Sequence, residues 1–109
     1  MAKKIWEQNI PDDITMIRRL QKPKGRIDVV LDTDTYNEID DQYALSYMIR
    51  SDEKLNVRAL YAAPYFNDKS TSPKDGMERS YNEILTLLDL LDRKDLKPSV
   101  FRGSEDYLP

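Results

Sequence analysis

The chain has no cysteine and no histidine, and only three glycines and one tryptophan among its 109 residues. The missing cysteine excludes a disulfide, a thiolate nucleophile and a thiolate metal site. The missing histidine removes the commonest general base and transition-metal ligand. Chemistry carried by these residues is therefore carboxylate chemistry. A basic excess is also lacking: 17 Lys and Arg stand against 20 Asp and Glu, a net charge of −3. Nucleic acid and anionic membranes thus have no electrostatic reason to bind. No apolar run is long enough to span a bilayer, and the first nine residues hold no apolar region ahead of a small-residue cleavage site. These absences predict a soluble, cytoplasmic protein with no nucleic-acid and no membrane partner.

What the chain does have is a dense acidic stretch at the end of an apolar one. Val29-Val30-Leu31 runs into Asp32, Asp34, Glu38, Asp40 and Asp41, five carboxylates within ten residues. Two carboxylates about 4 Å apart repel by roughly 4 kcal/mol at the effective dielectric of a protein surface. That is a sizeable part of the ~5–15 kcal/mol that stabilises a whole domain. Raised pKa values, backbone N–H donors or a hard cation must offset it, and a cation uses oxygen-only ligands most directly.

In chain order, residues 1–25 read as a polar arm with one short helix. Pro11, Asp12 and Asp13 suit its start, and Arg18 and Arg19 its last turn before Leu20. Residues 26–109 read as one α/β unit. Ile27–Leu31 is apolar without evident alternation, which predicts a central parallel strand covered on both faces, its carboxylates at the C-terminal end where open α/β sheets bind ligands. Residues 39–50 are apolar over most of a helical surface and predict an internal helix. Residues 56–62 predict a second strand and 65–76 a polar loop. Met77–Leu91 has helical spacing, and residues 99–101 predict a third strand. This order implies right-handed crossovers and an open, mostly parallel sheet of Rossmann-like βαβαβ order. Three helices do not cover both faces of such a sheet, so further chain or a homo-oligomeric partner is expected to complete it, with Val100, Phe101, Leu108 and part of the Met77–Leu91 helix at the junction.

A helix cap needs one carboxylate, so capping accounts for Asp40 alone but not for the set. An EF-hand is excluded by position: counting from Asp32, the sixth residue is Asn37 rather than Gly and the twelfth is Tyr43 rather than Glu. A phosphatase-like phosphoryl-transfer reading, with Asp32 as nucleophile and Asp34 as acid/base, fits a DxD after a strand but leaves Asp40-Asp41 unexplained. A non-catalytic metal- or ribose-binding chain is the third reading.

Asp32-Thr33-Asp34 followed by Asp40-Asp41-Gln42-Tyr43-Ala44-Leu45 resembles the N-terminal signature of the inosine-uridine preferring nucleoside hydrolase family. Asn67, Tyr81-Asn82-Glu83-Ile84 and Pro98-Ser99-Val100-Phe101-Arg102-Gly103 resemble its downstream segments, so that the likeness runs over about residues 26–108. The turn Thr35–Ile39 is two residues longer than is usual there, as in a divergent branch. The resemblance implies a nucleoside hydrolase-like fold and a calcium-dependent N-ribohydrolase acting on nucleosides or related N-ribosides. It further implies Asp34 as calcium ligand and general base, Asp41 as a second ligand, Asp40 and Asn67 as ribose contacts, and Asp32 as an inner support. Family members are much longer, which implies that this chain corresponds to their N-terminal part, with the remaining calcium ligands and leaving-group residues supplied by later segments.

Overall fold

The apolar, β-branched segments become strands. In a computed structural model that describes residues 10–109, Ile27–Thr33 (β1), Leu55–Ala62 (β2) and Val100–Arg102 (β3) form an open, all-parallel sheet in the order β1-β2-β3. The polar arm over residues 1–9 lies outside the described residues. Helices Asp13–Leu20 (α1), Ile39–Arg50 (α2) and Pro73–Leu90 (α3) are interleaved with the strands, giving the Rossmann-like α/β order expected. A 3₁₀ helix over Lys94–Ser99, not foreseen in the sequence, leads into β3.

Helix boundaries follow from their caps. Asp12 accepts from the Thr15 N–H at 2.7 Å and starts α1. At α3, Ser72 accepts from the Asp75 N–H at 3.0 Å, Pro73 fills the first turn, and the Asp75 carboxylate accepts in return from the Thr71 N–H at 3.0 Å. These contacts satisfy N–H groups that a helix start otherwise leaves unpaired, and they begin α3 four residues before the expected Met77. Gly76 is buried against the preceding loop, and a Cβ there would stand 2.1 Å from the Tyr65 carbonyl oxygen. The close approach of this helix start to Tyr65 therefore requires glycine.

The core lies on one side of the sheet. Leu60, Ala62 and Val100 of the strands pack with Leu45 and Ile49 of α2 and with Met77, Ile84 and Leu88 of α3, all buried. The reason is topological: successive right-handed crossovers that move across a sheet in one direction lay their helices on the same face. The expected cover on both faces is thus corrected. β1 alternates half-buried Ile27, Val29 and Leu31 with exposed Asp28, Val30 and Asp32, which face away from the core. Register slips once, where Val29 pairs Val57 but Val30 pairs Ala59, leaving exposed Arg58 as the extra residue of a bulge.

Helix α2 has the expected bounds but not the expected environment. Leu45 and Ile49 are its buried residues, while Ile39, Tyr43 and Tyr47, spaced along one side, are 68%, 71% and 78% exposed. It packs on one side, not two. At the expected junction, Val100 is buried in the core while Phe101 and Leu108 are exposed.

Candidate functional site

β1 ends at Thr33 and α2 begins at Ile39, so residues 34–38 carry the chain from strand to helix. The connection is tied down locally. The Thr33 hydroxyl is buried, donates to Asp41 Oδ2 at 2.5 Å and lies 3.0 Å from the Thr35 hydroxyl, which is also buried. The Asn37 N–H donates to the Asp34 carbonyl at 2.7 Å, which turns the chain tightly. Farther along, the Tyr36 N–H donates to Ser80 Oγ on α3 at 3.1 Å. Strand end, turn and helix start are thereby fixed against the core.

This turn sets two carboxyls side by side. Asp34, just past the strand, neighbours Asp41 in the first turn of α2. Asn37 Nδ2 donates to Asp34 Oδ2 at 2.9 Å, and Asn67 Nδ2 donates to Asn37 Oδ1 at 2.6 Å. Lys69 reaches the same turn with its Nζ on the Asn37 carbonyl, and its N–H donates to Asn67 Oδ1 at 2.8 Å. The Asn67 N–H is met by Ser70 Oγ at 3.2 Å, and Ser70 in turn donates to the Tyr65 carbonyl at 3.0 Å. An unbroken run of polar contacts therefore joins the loop after β2 to the carboxyl pair after β1.

Electrostatically the pair is under load. Burial pushes the Asp34 carboxyl above its ordinary range, the adjacent Asp41 pushes it the same way, and the amide donation from Asn37 pulls back. Behind it, Tyr65 is 4% exposed and its hydroxyl is a buried side-chain oxygen with no hydrogen-bond partner among the described residues. Burial raises its pKa, and although the Arg79 cation counters this, the fields of Asp75 and Asp34 reinforce it.

The expected site residues divide into two groups. Asp34, Asp41 and Asn67 come together, the last through Asn37. Asp40 shares the first turn of α2 but is exposed. Asp32 is exposed on the uncovered sheet face, beside Tyr61 in the register. Glu38 is the N-cap residue of α2 and makes no side-chain cap bond. Among the described residues no group of three or more carboxylates is gathered closely enough to hold a metal ion. Among the described residues the two adjacent carboxyls accept from one amide and one hydroxyl and from no cation, a donor set that suits part of a hard cation's oxygen shell.

Asn37 is the residue that sequence reasoning missed. It lies in the longer turn, and its signal was only that extra length together with an amide-bearing type. Two surface clefts lie elsewhere. One of about 420 Å³ lies at the start of β1 and β2, lined by Lys22, Ile27, Lys54 and Leu55 among others, and one of about 240 Å³ lies between α2 and α3 beside Tyr43 and Leu87. Neither includes Asp34 or Asp41. No helix among the described residues is long and apolar enough to cross a membrane. Compared with known proteins, the chain matches no family model, no curated protein and no solved structure.

Proposed function

We propose that the Asp34–Asp41 pair is the metal-binding and base-bearing part of a cytoplasmic, calcium-dependent N-ribohydrolase that cleaves the N-glycosidic bond of nucleosides or related N-ribosides. The observation that carries this reading is the pair itself: two carboxyls from a strand end and a helix start, held together and joined through Asn37 to Asn67. Asp34 and Asp41 would hold the cation. When bound, calcium would neutralise the pair and collect oxygen ligands, including a water and sugar hydroxyls, at about 2.3–2.6 Å.

The residues have separate tasks. Asp34, beside the water that a cation held by the pair would collect, takes a proton from that attacking water. The water oxygen then bonds to the anomeric carbon as the carbon–nitrogen bond breaks, and that electron pair leaves with the base through an oxocarbenium-like state. Asn67, an exposed amide held by Ser70, Lys69 and Asn37, contacts ribose. Asp40, exposed at the same helix end, accepts from a second hydroxyl. Asn37 positions Asp34 and Asn67 relative to each other.

Isothermal titration with calcium tests the reading. Wild type is expected to bind weakly, because two carboxylates supply only part of a calcium shell, and Asp34→Ala and Asp41→Asn should each abolish the heat. Equal heats from all three chains would overturn the proposal. Assays of free ribose released from a nucleoside panel, with calcium and with chelator, separate hydrolysis from binding alone.

A further inference from the structure

The sheet face opposite the core gets no cover from the crossover helices, yet it is not polar. Val30 is 58% exposed, and Tyr61 and Phe101, paired across β2 and β3, stack with ring centroids 5.2 Å apart while staying 38% and 43% exposed. Asp28 and Asp32 of β1 flank this patch from the same side of the sheet. Helix α1 has the complementary surface. At about 100° per residue Ile14, Ile17 and Leu20 share one arc of roughly 120°, and they are 64%, 61% and 80% exposed. No residue of α1 is buried. Arg18 and Arg19 stand in its last turn, and Lys22 and Lys24 follow. Arg18, about 40° beyond Ile14 around the helix, edges this apolar stripe while Arg19 points to the other side, and the apolar patch of the sheet is edged by carboxylates.

The exposed area leaves room for such a partner. The chain exposes 8327 Å², whereas a folded monomer of its 12.8 kDa mass exposes roughly 6,300 Å². The excess, about 2,000 Å², is more than the ~800 Å² that each partner buries in a standard interface. The radius of gyration is likewise 17.4 Å, against about 13 Å for a compact chain of this length. Extended Gln21 and the left-handed Gly25, at φ 75°, lie in the link from α1 to β1.

We infer that two copies of this chain pair about a two-fold axis, each laying α1 across the uncovered sheet face of the other, with Ile14, Ile17 and Leu20 on Val30, Tyr61 and Phe101. Arg18 then approaches Asp28 and Asp32 of the partner, and the same contact is made twice, as two-fold symmetry requires. The surface is independent of the carboxyl pair at Asp34 and Asp41, so this pairing stands or falls separately from the proposed activity.

The absence of native cysteine makes the test direct. Full-length Ile17→Cys chains mixed with Val30→Cys chains under oxidised glutathione should give a disulfide-linked pair of about twice the single-chain mass. Ile14→Glu/Ile17→Glu, both at exposed positions, should weaken self-association at least tenfold in sedimentation equilibrium with an unchanged far-UV circular dichroism spectrum. Three results would overturn the inference. They are a wild-type monomer at tens of micromolar, a cross-link formed within the Ile17→Cys/Val30→Cys double variant in place of one between chains, or Val30→Cys coupling only to itself.

Discussion

Asn37 makes two side-chain hydrogen bonds at once, one to a carboxylate and one to an amide from another loop, at 2.9 and 2.6 Å. A hydrogen bond contributes about 0.5–1.5 kcal/mol net, and about 1.5–3 kcal/mol where one partner is charged. Asn37→Ala should therefore weaken calcium binding about tenfold, the equivalent of ~1.4 kcal/mol, measured by isothermal titration. The turn's backbone bond from Asn37 to Asp34 survives the substitution, so the far-UV spectrum should not change. Undiminished affinity would mean that Asp34 does not depend on the amide. At this scale the aspartates were legible, because their density is itself an electrostatic anomaly. Asn37 was not legible, because its partner Asn67 stands thirty residues away and nothing local in the sequence names that contact. Asp32 resembled its neighbours in type, yet strand alternation turns it to the other face of the sheet.

Elements were read unevenly at their ends: α2 matched without a side-chain cap, whereas the start of α3 was missed although its cap was in the sequence. The α2 bounds match expectation, and the early start of α3 was written in Ser72-Pro73-Lys74-Asp75, a capping serine, a proline for the first turn and a reciprocal acid. Asp75 offers a pH test of that start. The Arg79 side chain donates to its carboxylate at 2.8 Å and the Thr71 N–H at 3.0 Å, and with the Arg79 bond the larger cause its pKa falls below 3.8. A carboxylate lowered on folding contributes stability in full above its unfolded pKa and loses it as the pH falls through the folded one. Asp75→Asn should thus be less stable than wild type at neutral pH, and the gap should close in acid below 3.8, followed by urea denaturation across pH. A gap independent of pH would assign Asp75 a packing role only. The faces of β1 were misread although a signal existed. Asp28 and Asp32 are four residues apart, on one side of a strand of period two, and two charges on one side mark solvent.

For the molecule as a whole, the α/β order was legible from alternating apolar segments, whereas the bare sheet face was not, because it follows from the direction of the crossovers and not from residue type. One-sided cover leaves a small core centred on Leu60, which is 0% exposed and pairs with Leu31 on one side and Val100 on the other. Truncating a buried leucine costs about 2–5 kcal/mol, comparable with the lower end of the ~5–15 kcal/mol typical of domains. Leu60→Ala should therefore lose most or all of its cooperative urea transition, while Val30→Ala, on the open face of the single chain, should shift stability by only about 0.5 kcal/mol if the helix of a partner is kept away by dilution. A wild-type transition in Leu60→Ala would show that the sheet is not the cooperative unit. Spacing along the chain also orders events in time. Thr33 and Asp41, which frame the carboxyl pair, are eight residues apart, whereas contacts between β1 and β2 such as that of Asp28 with Asn56 span 28. Shorter loops close at smaller entropic cost, so the two like charges are expected to meet before the sheet exists to hold them. Their repulsion then belongs to the barrier as well as to the native state, and a solute that neutralises the pair speeds folding in addition to stabilising its product.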